Sequence, residues 1–353
     1  MKKIFLLMTI MIISGCHEWQ ITEEGLIDVF PENLTKDNGK PVFSEVSAVV
    51  FDGNNLIFGN DKEIPGDSLQ QRSPVFLINY EKFANSDIEF LSDSTFIKAK
   101  KYEDFTITPD GKYIIATTGF DRVKGSGEWD NFNTLLYWPV GNPGKVKIMN
   151  TTVRNGIESS VSLREKISKK LNDAPYFKIE GLAALPGNKL LFGIREVGAS
   201  YQNFDYTVKM LLTSYFIEGD EMKIPHDVEW VYDFNPDHFF EKLNSRKVAL
   251  SSIEYNPFKE SVFILTSYEN EINGEVTDES IGAFLWEIPL ADIFRNNSPK
   301  FIESVHFNHK AEGIAIIDKN KIFVIHDDDR VLGSDGGQFL RKPNQNAYSI
   351  LER

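Results

Sequence analysis

Short apolar runs alternate with turn-forming residues along most of this chain. The clearest instance is residues 177–196, FKIEGLAALPGNKLLFGIRE. Apolar residues from Leu182 to Leu185 meet a turn of Pro186, Gly187 and Asn188. A second apolar run then extends from Lys189 to Ile194, and charge returns at Arg195 and Glu196. Two such runs around a Pro/Gly/Asn turn predict a β-hairpin. Four other segments align with it: VVFDGNNLIFGNDK after Ser47 and Ala48, FTITPDGKYIIATTGFDR after Glu103 and Asp104, IEYNPFKESVFILTSYE after Ser251 and Ser252, and IAIIDKNKIFVIHDDDR after Glu312 and Gly313. The opening positions 47, 103, 180, 251 and 312 recur with a mean spacing of about 66 residues, the signature of an array of small sheets.

Each repeat has a later strand, at 74–79, 134–140, 206–217, 283–290 and 347–352, and fourth strands are expected at 88–91, 146–149, 229–234 and 301–307. The fold class is therefore all-β, a β-propeller of five blades. Six is the alternative, because positions 103 and 180 lie 77 residues apart. Each sheet has one apolar face that only a neighbour can cover, and closing the ring removes long exposed edges. The segment 19–27 is expected to complete the C-terminal blade. One helical insertion is predicted at 159–172, SSVSLREKISKKLN, with Val161, Leu163, Ile167 and Leu171 on one face and Ser159 or Ser160 as N-cap. A shorter helix is expected at 237–244.

At the N-terminus, Lys2 and Lys3 precede ten mostly apolar residues, then Ser14, Gly15 and Cys16. This pattern reads as a signal peptide over 1–15, too short in its apolar part to span a bilayer. The cysteine makes it similar to a bacterial lipobox, in which cleavage leaves Cys16 as a lipidated N-terminus. Cys16 is the only cysteine, so the chain has no internal disulfide and no thiolate metal site. Residues 16–40 read as lipidated Cys, tether and first strand, and 41–353 as a single propeller domain. Such a protein sits extracytoplasmically in the bacterial cell envelope, held to the membrane by its lipid. The net charge of −14, which becomes −16 without Lys2 and Lys3, disfavours nucleic acid as a partner. The partners left are the membrane and a small-molecule or protein ligand.

Antiparallel pairing puts the start of each first strand and the end of each second strand on one rim. Glu103, Glu180 and Glu312 thus share a rim with Asp61, Asp121, Glu196, Glu269 and Asp327, and with Lys62, Arg122, Arg195 and Arg330. Carboxylates converging on an axis need neutralising. A hard cation such as Ca²⁺ bound by Glu103, Glu180, Glu312, Asp121 and Asp327 would do this. So would interleaved Arg and Lys. The plainest alternative is that these are solvated turn ends and blade-to-blade salt bridges. His306 and His309 reach toward the same rim, whereas His226 and His238 read as structural or surface residues. The cluster at 326–329 lacks EF-hand spacing, and GxSxG, HExxH, P-loop and CxxC motifs are absent.

The Glu-Gly-apolar opening, the turn and the charged strand end, best seen in IEGLAALPGNKLLFGIRE and AEGIAIIDKNKIFVIHDDDR, resemble the phytase-like propeller family, also called esterase-like activity of phytase. That resemblance implies a propeller, a phosphoester or ester hydrolase activity, and Glu180, Arg195, Glu312 and Asp327 as catalytic residues. Ser47 and Ser251 depart from the pattern where the acid is expected. Two functions follow: a lipid-anchored binding module, or a Ca²⁺-dependent hydrolase acting at the acidic rim.

Overall fold

The computed structural model describes residues 18–36, 38–66, 71–85, 88–225, 227–236, 248–269, 281–298, 300–328, 333–334 and 339–353. The signal peptide at 1–15, Cys16, the helix expected at 237–244, His226, His238, Asp329 and Arg330 lie outside the described residues.

Five four-stranded antiparallel sheets form a five-blade propeller. Blade 1 holds β2 (Val46–Phe51), β3 (Asn55–Asn60), β4 (Val75–Asn79) and β5 (Glu89–Phe90). Blade 2 holds β6 (Tyr102–Ile107), β7 (Tyr113–Thr118), β8 (Leu135–Pro139) and β9 (Lys147–Ile148). Blade 3 holds β10 (Tyr176–Leu185), β11 (Lys189–Ser200), β12 (Asn203–Ser214) and β13 (Glu229–Asp233). Blade 4 holds β14 (Ala249–Asn256), β15 (Ser261–Glu269), β16 (Ile281–Pro289) and β17 (Lys300–Phe307). Blade 5 holds β18 (Ala311–Asp318), β19 (Lys321–His326) and β20 (Gln345–Glu352), and its outermost strand is β1 (Gln20–Asp28) from the other end of the chain. The N-terminal segment therefore closes the ring as expected, with Gln20 opposite Glu352 and Asp28 opposite Gln345.

The inner strands β2, β6, β10, β14 and β18 pack side by side in a closed circle. Apolar clusters fill the spaces between neighbouring blades: Phe58, Phe76 and Phe323 join blades 1 and 5, and Phe192, Ile179 and Leu135 join blades 3 and 2. The long interval between 103 and 180 is not a sixth blade. It holds a small hairpin, Thr152–Arg154 with Ile157–Ser159, and a helix at Val161–Lys170. Val161, Leu163, Ile167 and Leu171 are buried. Ser160 sits at the N-cap but does not cap: its hydroxyl donates to Met149 O at 2.6 Å and accepts from Leu135 N–H at 3.0 Å. The hydroxyl is instead committed to the backbone of blade 2, between Leu135 and Met149. Among the described residues no helix is long and apolar enough to cross a membrane.

All five inner strands carry a β-bulge at the same place. The register skips Ser47, Glu103, Glu180, Ser251 and Glu312, the five opening positions of the repeat. A bulge puts two residues opposite one and turns an extra side chain out of the alternation. The residue after it must then fit where inner strands meet. A Cβ on Gly313 would lie 2.9 Å from Ser47 O and 3.1 Å from Val49 N, and one on Gly181 would lie 2.9 Å from Ile253 Cγ1. Gly313→Ala is expected to destabilise the fold by about 1–3 kcal/mol through forced separation of β18 and β2. Gly127→Ala, with open space around it, is expected to change stability by less than about 0.5 kcal/mol. Urea unfolding of the two variants measures both.

Candidate functional site

The bulges aim Glu103, Glu180 and Glu312 at one end of the axis, and Lys101, Lys178 and Lys310 stand two residues before them. Each lysine reaches its own glutamate. Lys101 Nζ lies 3.4 Å from Glu103 Oε1 and Lys310 Nζ 3.1 Å from Glu312 Oε1, and Lys178 pairs with Glu180. The pairs also interlock between blades. Lys178 Nζ is 3.2 Å from Glu103 Oε1 in blade 2, and Lys310 Nζ is 3.4 Å from Glu269 Oε2 in blade 4. Lys101 Nζ also holds Asp121 at 2.6 Å, and Arg122 holds the other oxygen of Asp121 at 2.9 Å. In blade 1, Lys62 binds Glu45 at 3.0 Å and Asp61 at 2.7 Å.

Blade 4 has Ser251 in place of the acid, and Arg195 of blade 3 fills the gap. A second bulge, on β11, releases Arg195 from the register. Its Nη1 donates to Leu250 O at 2.7 Å, Ser251 Oγ at 3.2 Å and Ser267 Oγ at 3.3 Å, while Nε lies 3.8 Å from both Glu180 and Glu196. Together these groups form a belt of alternating charge around the ring. The interleaved lysines and arginines and the salt bridges between blades are present as expected, and Lys62 stays solvated, but Glu103, Glu180, Glu312, Asp121 and Asp327 are buried rather than solvated turn ends. They can be buried because the blades bring lysine and arginine onto them. A Ca²⁺ ion at this belt would compete with Lys101, Lys178 and Lys310 for the same carboxylates. Among the described residues no three His, Cys, Asp or Glu side chains are grouped so as to hold a metal ion.

Asp327 lies at the same end, its N–H donating to Lys310 O at 2.9 Å. Next to it Asp328 accepts from Lys310 N–H at 2.9 Å and binds His309 Nδ1 at 2.7 Å. The His309 ring stacks on His326, which meets Ser349 Oγ at 2.8 Å. His306 diverges from His309 and stacks instead on Phe284.

One layer below the belt lies a site that the repeat does not announce. Asp104 is fully buried and ties three blades together. It accepts from Leu182 N–H at 2.7 Å, Ser252 Oγ at 3.2 Å and Ile253 N–H at 3.4 Å, besides Phe105 N–H at 3.0 Å. Glu254 accepts from Tyr255 N–H at 3.2 Å and Thr106 Oγ1 at 3.5 Å. A cleft of about 670 Å³ also lies on the outer side of blades 2 and 3, lined in part by Tyr137, Ile148, Met222 and Ile224. No belt residue borders it.

Burial and the neighbouring Glu180 push the Glu103 carboxyl well up, against Lys178 and Lys101. Burial also acts to raise Glu180, but Lys178 and Arg195 outweigh it and hold that carboxyl low. Burial, opposed by Lys310, pushes Glu312 up to about 7. Asp104 and Glu254 are both raised well above the usual range by burial.

No family model matches the chain, and no curated protein matches it. Similar solved structures include a luciferin-regenerating enzyme, at 11% identity over 88% of this chain and 94% of that one, with a TM-score of 0.39. Another is the PQQ-bound aldose sugar dehydrogenase of Streptomyces coelicolor, at 14% identity, 89% and 81% coverage and a TM-score of 0.40. A third is a member of the duf4221 family from Bacteroides vulgatus, at 8% identity, 95% and 98% coverage and a TM-score of 0.42. At these scores the likenesses carry no argument about activity, and the phytase-like name gains no support from a family match.

Glu312 gives a pH prediction. Its folded-state value of about 7 lies above the ordinary glutamate value. The proton it keeps therefore stabilises the fold fully below about pH 4.5, and that contribution is lost as pH rises through 7. Urea unfolding at pH 4.5 and pH 8 should show Glu312→Gln gaining on the unsubstituted protein by about 3 kcal/mol at the higher pH.

Proposed function

We propose that this protein is a lipid-anchored, extracytoplasmic propeller of the bacterial cell envelope, held at the membrane through Cys16, and that it binds a small carboxylated or phosphorylated ligand at the charged end of its axis. The layering of the belt carries the ligand class. Lys101, Lys178 and Lys310 keep 15, 15 and 12% of their side-chain surface exposed, while Glu103, Glu180 and Glu312 keep 2, 2 and 4%. A molecule arriving along the axis therefore meets ammonium groups first, and meets the carboxylates only as the buried base that holds them in place. Charge-assisted contacts to several preorganised lysines suit an anion of modest charge. The signal pattern and lone cysteine support the anchoring.

The test is thermal unfolding of the mature chain carrying Cys16→Ser with inorganic phosphate, sugar phosphates and sugar acids. A binder at a hundred times its Kd adds about 2.7 kcal/mol, read as a rise of several degrees in Tm. That rise should disappear in Lys178→Gln and Lys310→Gln. No shift with any anion, or an equal shift in the variants, overturns the reading.

A second reading, a phosphoester or ester hydrolase of the phytase-like type, is favoured by one observation. Glu103 and Glu180 share Lys178, yet their proton affinities are driven apart, as in an acid–base pair. In that case the mature chain would turn over a phosphate monoester or an ester, and Glu180→Gln would lose about a hundredfold or more. Calorimetric titration with Ca²⁺, compared with a Glu180→Gln/Glu312→Gln variant, decides whether a metal takes part.

A further inference from the structure

Resting on the anchoring of Cys16 proposed above, we propose that the end of the propeller opposite the charged belt is its membrane-docking face, with Phe258 and Phe294 seated in the lipid headgroup region and the belt turned away from the bilayer. Strand direction sets the geometry. The bulge at Glu312 places the start of β18 at the belt end, so β19 runs back toward the belt, β20 away from it, and β1 toward it. Gln20, the first residue of β1, is therefore at the far end. Trp19 is buried there: its ring meets Phe263 edge-on at 5.7 Å, and the Arg353 guanidinium lies 4.7 Å from it. The chain is thus fixed to blades 4 and 5 as far as Trp19.

Only His17 and Glu18 separate Trp19 from Cys16. Three residues of fully extended chain reach about 11 Å at most. A lipid on Cys16 lies at the bilayer interface, so Trp19, and with it the far end of blades 4 and 5, cannot stand further from it than that reach. The belt end is removed by the whole length of the blades.

What this end presents suits an interface. Phe258, in the turn between β14 and β15, is 55% exposed, and Phe294, just after β16, is 45% exposed. Leu290 N–H donates to Glu260 O at 2.8 Å and holds the two segments together. The Lys189 ammonium lies 5.0 Å from the Phe294 ring, and Lys259 and Arg295 follow the two phenylalanines directly, with 43 and 71% of their side chains exposed. Exposed aromatics beside long cationic side chains are the chemistry of the headgroup layer, where the ring enters and the cation stays wet. With a net charge of −16 once Lys2 and Lys3 are removed, general electrostatic attraction to anionic lipid does not hold the domain down. The lipid and the two rings carry the contact.

The test uses the full chain, leader included, in isolated bacterial membranes. Because Cys16 is the only native cysteine, Lys259→Cys and Tyr201→Cys each add a single dye site. Tyr201, 67% exposed, lies in the turn between β11 and β12 at the belt end. The dye at 259 should emit further to the blue and be quenched by iodide several-fold less than the dye at 201. Equal quenching at the two positions in a chain that incorporates palmitate overturns the docking face alone. Absence of palmitate, with sedimentation unchanged in Cys16→Ala, overturns the anchoring reading instead.

Discussion

Five inner strands meet around an axis that has room for one full side chain at the level just past the bulges. The residues there are Ala48, Asp104, Gly181, Ser252 and Gly313. Four are small, and the fifth is the aspartate that reaches across to bond blades 3 and 4. A second large residue at this level would push β2 and β18, or β10 and β14, apart. The fold thus depends on a division of space. Smallness on four blades makes room for the carboxyl that satisfies backbone N–H groups which would otherwise be orphaned in the middle of the molecule.

The belt above it obeys a second constraint. Carboxylates taken this far from water need partners or a proton. The ring uses both solutions. Asp121 is held ionised by Lys101 and Arg122, acting against its burial, and Glu180 by Lys178 and Arg195, whereas Glu103 tends to keep its proton. Because Lys178 serves Glu103 and Glu180, and Arg195 serves two blades, the charges cannot be rearranged singly. This ties blades 2 to 5 to one another through charge as well as through apolar packing.

The architecture was legible because it repeats. Hairpin turns, apolar runs and the spacing of positions 47, 103, 180, 251 and 312 follow directly from local chemistry, and the third and fourth strands fall close to where the pattern puts them. The N-terminal strand's place in blade 5 was legible from closure. The depth of the acids was not, because an acid at the end of an apolar run reads as a solvated turn. The recurring Lys two residues before each Glu carries the missing information, since it supplies a nearby partner of opposite charge. Asp104 and Glu254 leave no such trace. Apart from the N–H of the next residue in each case, their partners are backbone N–H and hydroxyl groups on other blades, set by tertiary approach. Ser160 is a similar case: helix-cap chemistry is local, and β8 outcompetes it.

The pairing of β1 with β20 also orders events in time. Thr22 bonds to Ile350, 328 positions away, so β1 stays without its sheet until β20 has been made. Four blades can form as synthesis proceeds, since their strands are neighbours in sequence, but the fifth depends on contacts of very high sequence separation. A chain halted before residue 345 would therefore leave β19 and β1 each with a raw strand edge, a substrate for proteolysis and aggregation. Completion of the fifth sheet thus acts as a check that the chain has been made as far as β20.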